Sequence, residues 1–266
     1  MEKAITSKRW IIPLALLALS GFLLIGLQWM PWAWLFLCGF FISALFMEKS
    51  FRQHLLLLGA ALTILGVTQI TTDISWSHMA SMGALLILAV TVPYFVSRFV
   101  LKKRLVTFPF HHGRKWFRSE VIYVVFTIVL AYFILPIYLR STGAYLNWSV
   151  EPGWSNMIRL FLGTQLLGLW DELFFVSTML GTLRKFVPFW PANITMSVVF
   201  VSFLYELGFT GWATFILFPF ALIQGYVFRK TESLLYVISI HLALDVVLFL
   251  ALVNAHHSYW IRIFIT

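Results

Sequence analysis

Five ionisable side chains lie in long apolar stretches of the sequence and could together perform acid–base chemistry: Asp171, Glu172, Glu206, His241 and Asp245. Peptide hydrolysis needs a base that activates a water molecule and a donor that stabilises the developing oxyanion. A carboxylate can be the first group and a histidine the second. Two carboxyl groups in one dehydrated site cannot both ionise easily, so Glu206 could share a proton with Asp171 or Glu172. These residue types would make hydrolysis by a carboxylate-activated water molecule chemically workable.

The depth of these residues favours a functional role. Each carboxylate near the middle of a bilayer costs about 2.5–3.5 kcal/mol on insertion scales. Four of them would cost on the order of 10 kcal/mol, comparable with the stability of a typical domain, unless partners satisfied them. Such residues usually face a bundle interior or a water-filled cavity. His241 and Asp245 share one helical face because they are four positions apart. We therefore expect all five side chains to line one cavity, with Glu206 toward its outer end.

The elements that must hold these residues are membrane helices. The 266-residue chain is 61% hydrophobic and 11% charged, with a mean hydropathy of +0.91, whereas soluble proteins are about 45–50% apolar and 25% charged. Apolar runs of about 20 residues are typical of helices rather than of a barrel. The sequence predicts an all-α, polytopic membrane helix bundle with about nine transmembrane helices, at about 10–29, 31–48, 54–71, 79–100, 120–141, 157–183, 189–210, 212–228 and 233–254.

The distribution of basic residues predicts the orientation of the bundle. All but three of the 19 Lys and Arg residues fall on one side of the predicted membrane, the exceptions being Arg140, Arg159 and Arg262. The positive-inside rule places the N-terminus in the cytoplasm and the C-terminus outside, in a multi-pass protein of the cell membrane. We expect the basic loop at 97–120 to attract anionic lipids. The net charge of +9 then reflects topology, and no nucleic-acid partner is expected.

The basic loop divides the chain into two predicted parts. Residues 1–119 contain four spans without an ionisable residue at mid-depth, and they are interpreted as a membrane scaffold that ends in the basic cytoplasmic loop. Residues 120–266 contain five spans and every deeply placed ionisable residue. The second part is therefore predicted to be the catalytic core.

Three stretches of the second part resemble the CPBP family, the CAAX-protease and bacteriocin-processing membrane proteins that are also called the ABI family. They are "DELFFVSTMLGTL", "SVVFVSFLYELGF" and "GYVFRKTESLLYVISIHLALDVV", and the resemblance covers roughly residues 157–250. Asp171 and Glu172 match the paired acids of the family motif Glu-Glu-x-x-x-Arg. His241 and Asp245 match its last motif, His-x-x-x-Asn/Asp. The resemblance implies a CPBP-like core in the C-terminal half of the chain.

The second motif and the end of the first depart from the family pattern. Val176 stands where the family has Arg, Glu206 stands where it has the His of Phe-x-x-x-His, and Ser202 replaces the Phe of that motif. Asp171 is also one methylene shorter than the family's first Glu. A Glu in the second motif is reminiscent of the related PrsW-type proteases.

The resemblance implies a glutamic-type intramembrane endopeptidase that cleaves a protein or peptide in or near the membrane. Asp171 would be the base, supported by Glu172, and Glu206 would take the second-motif position. His241 and Asp245 would stabilise the oxyanion. Neither a cofactor nor a metal ion is expected.

Three alternatives stay open at this point. An inactive relative would bind, scaffold or regulate a partner, in an immunity or envelope role. A metalloenzyme would hold a divalent ion on an oxygen-rich set with one imidazole, from Glu172, Glu206, His241 and Asp245. A proton-coupled transporter would use the same carboxyl groups, although the sequence has no repeated half.

Overall fold

Nine helices make up most of the chain in the computed structural model, which describes residues 8–111, 115–260 and 262–264. The described residues contain no strand. Lys3 and Arg114, which contribute to the predicted orientation, lie outside the described residues. The helices are α1 Lys8–Gly26, α2 Met30–Leu45, α3 Lys49–Gly66, α4 Trp76–Val100, α5 Arg118–Thr142, α6 Trp154–Leu183, α7 Phe189–Glu206, α8 Ala213–Thr231 and α9 Leu234–His256.

Each of the nine predicted spans coincides with one of these helices, so the prediction of an all-α polytopic bundle is confirmed. Five of them are long and apolar enough to cross a membrane: α1, α4, α5, α6 and α9. Helix α2 is apolar but has only 16 residues. Charged residues at the start of α3 and at the ends of α7 and α8 lower the hydropathy of these helices.

The helices of the second half pack around α6 and α9. Helix α9 packs along α5 and α6, and α7 packs against α8 and the second half of α6. Helix α1 also packs on α7, which joins the N-terminal helices to the core. Two glycines allow this approach, because a Cβ at Gly21 would lie 2.8 Å from Val199 and one at Gly26 would lie 3.1 Å from Ser202.

A non-helical segment at 105–110 lies against the end of the bundle that carries the basic residues. The hydroxyl of Ser177 on α6 donates to the carbonyl of Thr107 at 2.8 Å. The backbone N–H of Leu234, at the start of α9, donates to the carbonyl of Pro109, also at 2.8 Å. Carbonyl groups of the segment therefore accept hydrogen bonds from donors on α6 and α9, the two helices that carry the site.

Candidate active site

The paired acids lie where α6 changes its helical geometry. Asp171 ends an α-helical stretch, and the π-helical stretch Glu172–Leu180 follows for nine residues. The hydroxyl of Thr178 donates to the carbonyl of Leu173, five residues earlier, as suits the wider π turn. π-Helical turns inside α-helices are frequent at functional sites. The change of pitch lets two adjacent acids face different partners.

Four of the five predicted site residues come together around the His241 ring. Its Nδ1 lies 2.8 Å from Oε1 of Glu172. Its Nε2 lies 3.7 Å from Oδ2 of Asp171 and 3.9 Å from Oδ1 of Asp245. All four residues are buried, with Glu172 only 1% exposed. His241 and Asp245 are four positions apart on α9, and they share one face of this helix, as the sequence predicts.

Gly168 makes room for this cluster on α6. A Cβ at this position would lie 1.9 Å from Oδ2 of Asp245 and 3.1 Å from Cδ2 of His241. Any side chain here would therefore displace the end of Asp245. The sequence analysis missed Gly168, although it lies about one helical turn before Asp171 on the same helix.

Several carboxylate oxygens of the cluster face no protein donor. Oδ1 of Asp171, Oε2 of Glu172 and Oδ2 of Asp245 are buried and make no hydrogen bond with any described group. Buried polar atoms normally have a partner. Oxygens of this kind are suited to bind a proton, a water molecule or a donor on a substrate.

Glu206 lies apart from this cluster. It is the last residue of α7, and its Oε1 accepts a hydrogen bond from Nε2 of Gln28, in the connection between α1 and α2. Its neighbour Leu207 lines the cavity beside the cluster, whereas Glu206 does not. The expectation that all five residues line one cavity is therefore wrong for Glu206, because the end of α7 turns its side chain toward the N-terminal helices. It is also wrong for Glu172, which contacts His241 but is not part of the cavity wall.

An apolar cavity of about 180 Å³ begins at the cluster. Asp171, His241 and Asp245 stand at its polar end, and the rest of its wall comes almost entirely from apolar side chains of α5 to α9. Two wall residues, Leu130 on α5 and Ile216 on α8, are 43% and 40% exposed, so the cavity borders the outer face of the bundle. This arrangement would place an apolar segment beside the reactive carboxylates.

One polar residue of the site was missed altogether by the sequence analysis. Gln224 is buried in α8, and its Nε2 lies 3.0 Å from Oε1 of Glu172. The available signal was a single amide inside the apolar run "FALIQGYVF".

Among the residues that the structure describes, no group of three or more His, Cys, Asp or Glu side chains is arranged to hold a metal ion.

A comparison with protein families finds a match in the second half of the chain. Residues 153–247 match the family model described as type II CAAX prenyl endopeptidase Rce1-like. Over these residues the chain is similar to that family. The predicted CPBP resemblance is thereby confirmed over the region that carries the four clustered residues. No curated protein and no solved structure matches the chain.

Proposed function

We propose that the protein is an intramembrane endopeptidase that hydrolyses a peptide bond of a membrane-associated or exported protein or peptide. The observation that carries the proposal is the buried cluster in which His241 contacts Glu172 and faces Asp171 and Asp245 at the end of an apolar cavity. The Rce1-like match supports the same class of reaction. Glu206 is left out of the mechanism because it lies elsewhere.

The first step is the activation of water by Asp171. Its carboxylate lines the cavity and has one oxygen without a described partner, so it can accept the proton of a water molecule there. The hydroxide attacks the scissile carbonyl carbon, and the C–N bond then breaks. Asp171 returns the proton to the leaving amine, which balances the reaction without another reagent.

His241 is proposed to stabilise the oxyanion. With Nδ1 donating to Glu172, the ring is held so that Nε2 faces Asp171, Asp245 and the cavity. When Nε2 carries a proton, it can donate to the oxygen on which charge develops. Glu172 acts behind the ring, where it fixes the orientation of the imidazole, and it is not part of the cavity wall.

The name of the matching family suggests the first probes to use. A CAAX sequence ends in a prenylated cysteine followed by two aliphatic residues and a variable one. The purified protein would be placed in lipid vesicles with three quenched fluorescent peptides. One is prenylated at such a terminus, the second is its unprenylated form, and the third is an apolar peptide without the cysteine.

Cleavage of any of these peptides by the wild-type protein supports the proposal if it is lost on changing Asp171→Ala and Glu172→Ala together. Thermal unfolding of the wild-type protein and the double variant in one detergent would check that both are folded to the same extent. Equal cleavage by the wild-type protein and the double variant would contradict the proposal, since the activity would then come from another group or from a contaminant. Absence of cleavage by the wild-type protein over this panel and a broad set of apolar peptides would also contradict it.

A further inference from the structure

Gln224 touches the site at Glu172, outside the cavity wall. It is 1% exposed, in the apolar middle of α8, a helix that none of the three family motifs includes. Its Nε2 lies 3.0 Å from Oε1 of Glu172 and 3.3 Å from the carbonyl oxygen of Val237 on α9. One amide group thus joins the three helices that form this side of the site.

The contact with Val237 fixes which way the amide points. A backbone carbonyl only accepts hydrogen bonds, so the amide nitrogen of Gln224, which only donates, has to face it. The same nitrogen then faces Glu172 and has a second proton for it. The opposite orientation would place the amide oxygen against both the carbonyl and the carboxylate, where all three atoms are acceptors.

Oε1 of Glu172 therefore accepts two hydrogen bonds, one from Gln224 and one from Nδ1 of His241. Other ionisable groups close to this carboxylate are Asp171 on its own helix and Asp245 on α9. In the hydrogen bonds and ion pairs of the described residues, α4, α7 and α8 bring no charged side chain to Glu172. Hydrogen bonds to a carboxylate favour its ionised form and restrict its rotation.

We propose that Gln224 is a positioning residue of the proposed peptidase. It holds the Glu172 carboxylate in the orientation that receives the Nδ1 proton of His241, and it thereby keeps Nε2 directed at the cavity. The family motif has an Arg at the position of Val176. In this chain Gln224, on another helix, supplies a hydrogen-bond donor to the carboxylate of Glu172. The inference rests on the proposed function for its effect on turnover, but the contact itself can be tested separately.

The first test compares Gln224→Met with Asn193→Ala. Met has similar length to Gln and no donor. Asn193 is a second fully buried amide, and its Nδ2 donates to the carbonyl of Leu222 on α8 rather than to Glu172. In the vesicle assay we expect Gln224→Met to lower kcat by at least about 10-fold with KM little changed, which corresponds to the loss of one hydrogen bond to a charged group. The control should lose stability and keep its kcat.

A second variant, Gln224→Glu, adds a signature that a purely structural role would not produce. At alkaline pH its carboxyl group would ionise and repel the carboxylate of Glu172, so cleavage should fall at least as far as with Met. In mildly acidic buffer the two carboxyl groups can share one proton, and one of them again donates. We expect the cleavage rate relative to the wild-type protein to rise by at least about 10-fold between these conditions. A constant ratio would count against the inference.

A third measurement does not need cleavage. The histidines are labelled with ¹⁵N, and the His241 signal is assigned by its loss in His241→Gln. We expect Gln224→Met to displace the pH titration of this signal by about one pH unit, and Asn193→Ala to leave it in place. If Gln224→Met displaces the His241 titration but the wild-type protein cleaves no probe, the positioning role is supported and the proposed function is contradicted. An unchanged titration in a folded Gln224→Met variant would overturn the inference.

Discussion

Asp171 and Glu172 are neighbours in the sequence, but they have different surroundings. Asp171 lines the apolar cavity and has an oxygen without a described partner. Glu172 is the more deeply buried of the two, and one of its oxygens accepts hydrogen bonds from both Gln224 and His241. One acid is thus placed to meet water and substrate, and the other to orient a ring. Two carboxylates divided in this way by their environment are typical of acid–base sites.

At the residue scale, Gly168→Ala tests whether the close approach of α6 and α9 matters for turnover. The added Cβ would lie 1.9 Å from Oδ2 of Asp245, so this carboxylate and the adjoining His241 must move. We expect the cleavage rate to fall by at least about 10-fold, as is usual when a reacting group is displaced by a fraction of an ångström or more. The rate would be measured in vesicles with the peptide that the wild-type protein cleaves fastest.

Gly163→Ala is the matched control on the same helix. A Cβ there would have its nearest neighbour at 3.9 Å, in ordinary contact with Met79. This variant should cleave at the wild-type rate and unfold at the same or a slightly higher temperature, because Ala favours a helix over Gly. Equal loss of activity in both variants would show that the effect is not specific to the Asp245 contact.

A second prediction at this scale concerns Glu206. Because its carboxylate contacts Gln28 and lies outside the cavity wall, Glu206→Gln should change the cleavage rate by less than about 3-fold, whereas Asp171→Asn should lower it by at least about 100-fold. Rates for both variants are compared at matched expression and folding. A large loss in Glu206→Gln would return this residue to the mechanism and would require α7 to move during turnover.

At the scale of the elements, the segment 105–110 contacts α6 within its π-helical stretch. Ser177 lies within this stretch and donates to the carbonyl of Thr107. We expect Ser177→Ala to lower the free energy of unfolding by about 1 kcal/mol, the usual worth of such a bond, because it leaves a carbonyl without its donor. Thermal unfolding in detergent measures the change.

Ser239→Ala provides the comparison on α9. Its hydroxyl donates to the carbonyl of Leu235 within the same helix and is exposed, so its removal should leave stability nearly unchanged. If the two serine variants unfold at the same temperature as the wild-type protein, the segment 105–110 does not contribute to holding α6.

The sequence predicted the elements better than their ends. Apolar runs determined the nine helices, and the four-residue spacing placed His241 and Asp245 on one face, since helical periodicity is a local property. The position of Glu206 depends on how α7 ends, and the contact of Gln224 depends on how α8 packs beside α6. Neither is encoded in local periodicity. The π-helical stretch at Glu172 likewise follows from tertiary packing and has no distinct sequence pattern.

At the scale of the whole molecule, the distribution of basic residues still predicts a cytoplasmic N-terminus and an external C-terminus. Reporter fusions after residue 110 and at residue 266 should therefore report opposite compartments, the second site lying outside the described residues. With this orientation, the segment 105–110 is cytoplasmic and the cavity opens toward the external half of the membrane. Both fusions in one compartment would contradict a chain with nine crossings.

The same orientation bears on the lipids around the protein. The basic region at 97–120, which includes the end of α4 and the start of α5, remains a proposed site of attraction for anionic headgroups. This attraction would act by charge and weaken with salt. The segment 105–110 inside this region packs on α6 and α9, so the region is also part of the support for the site. Any partner that bound there would lie close to the helices that carry Glu172 and His241.

The most direct test of the central claim is whether the clustered residues act as one catalytic unit. Cleavage rates would be measured in vesicles for the wild-type protein, for Asp171→Asn, for His241→Gln and for the double variant. We expect each single change to lower the rate by at least about 100-fold and the double change to lower it little further, because groups that act together are not additive. Wild-type rates in either folded single variant, or losses that simply multiply in the double variant, would contradict the account.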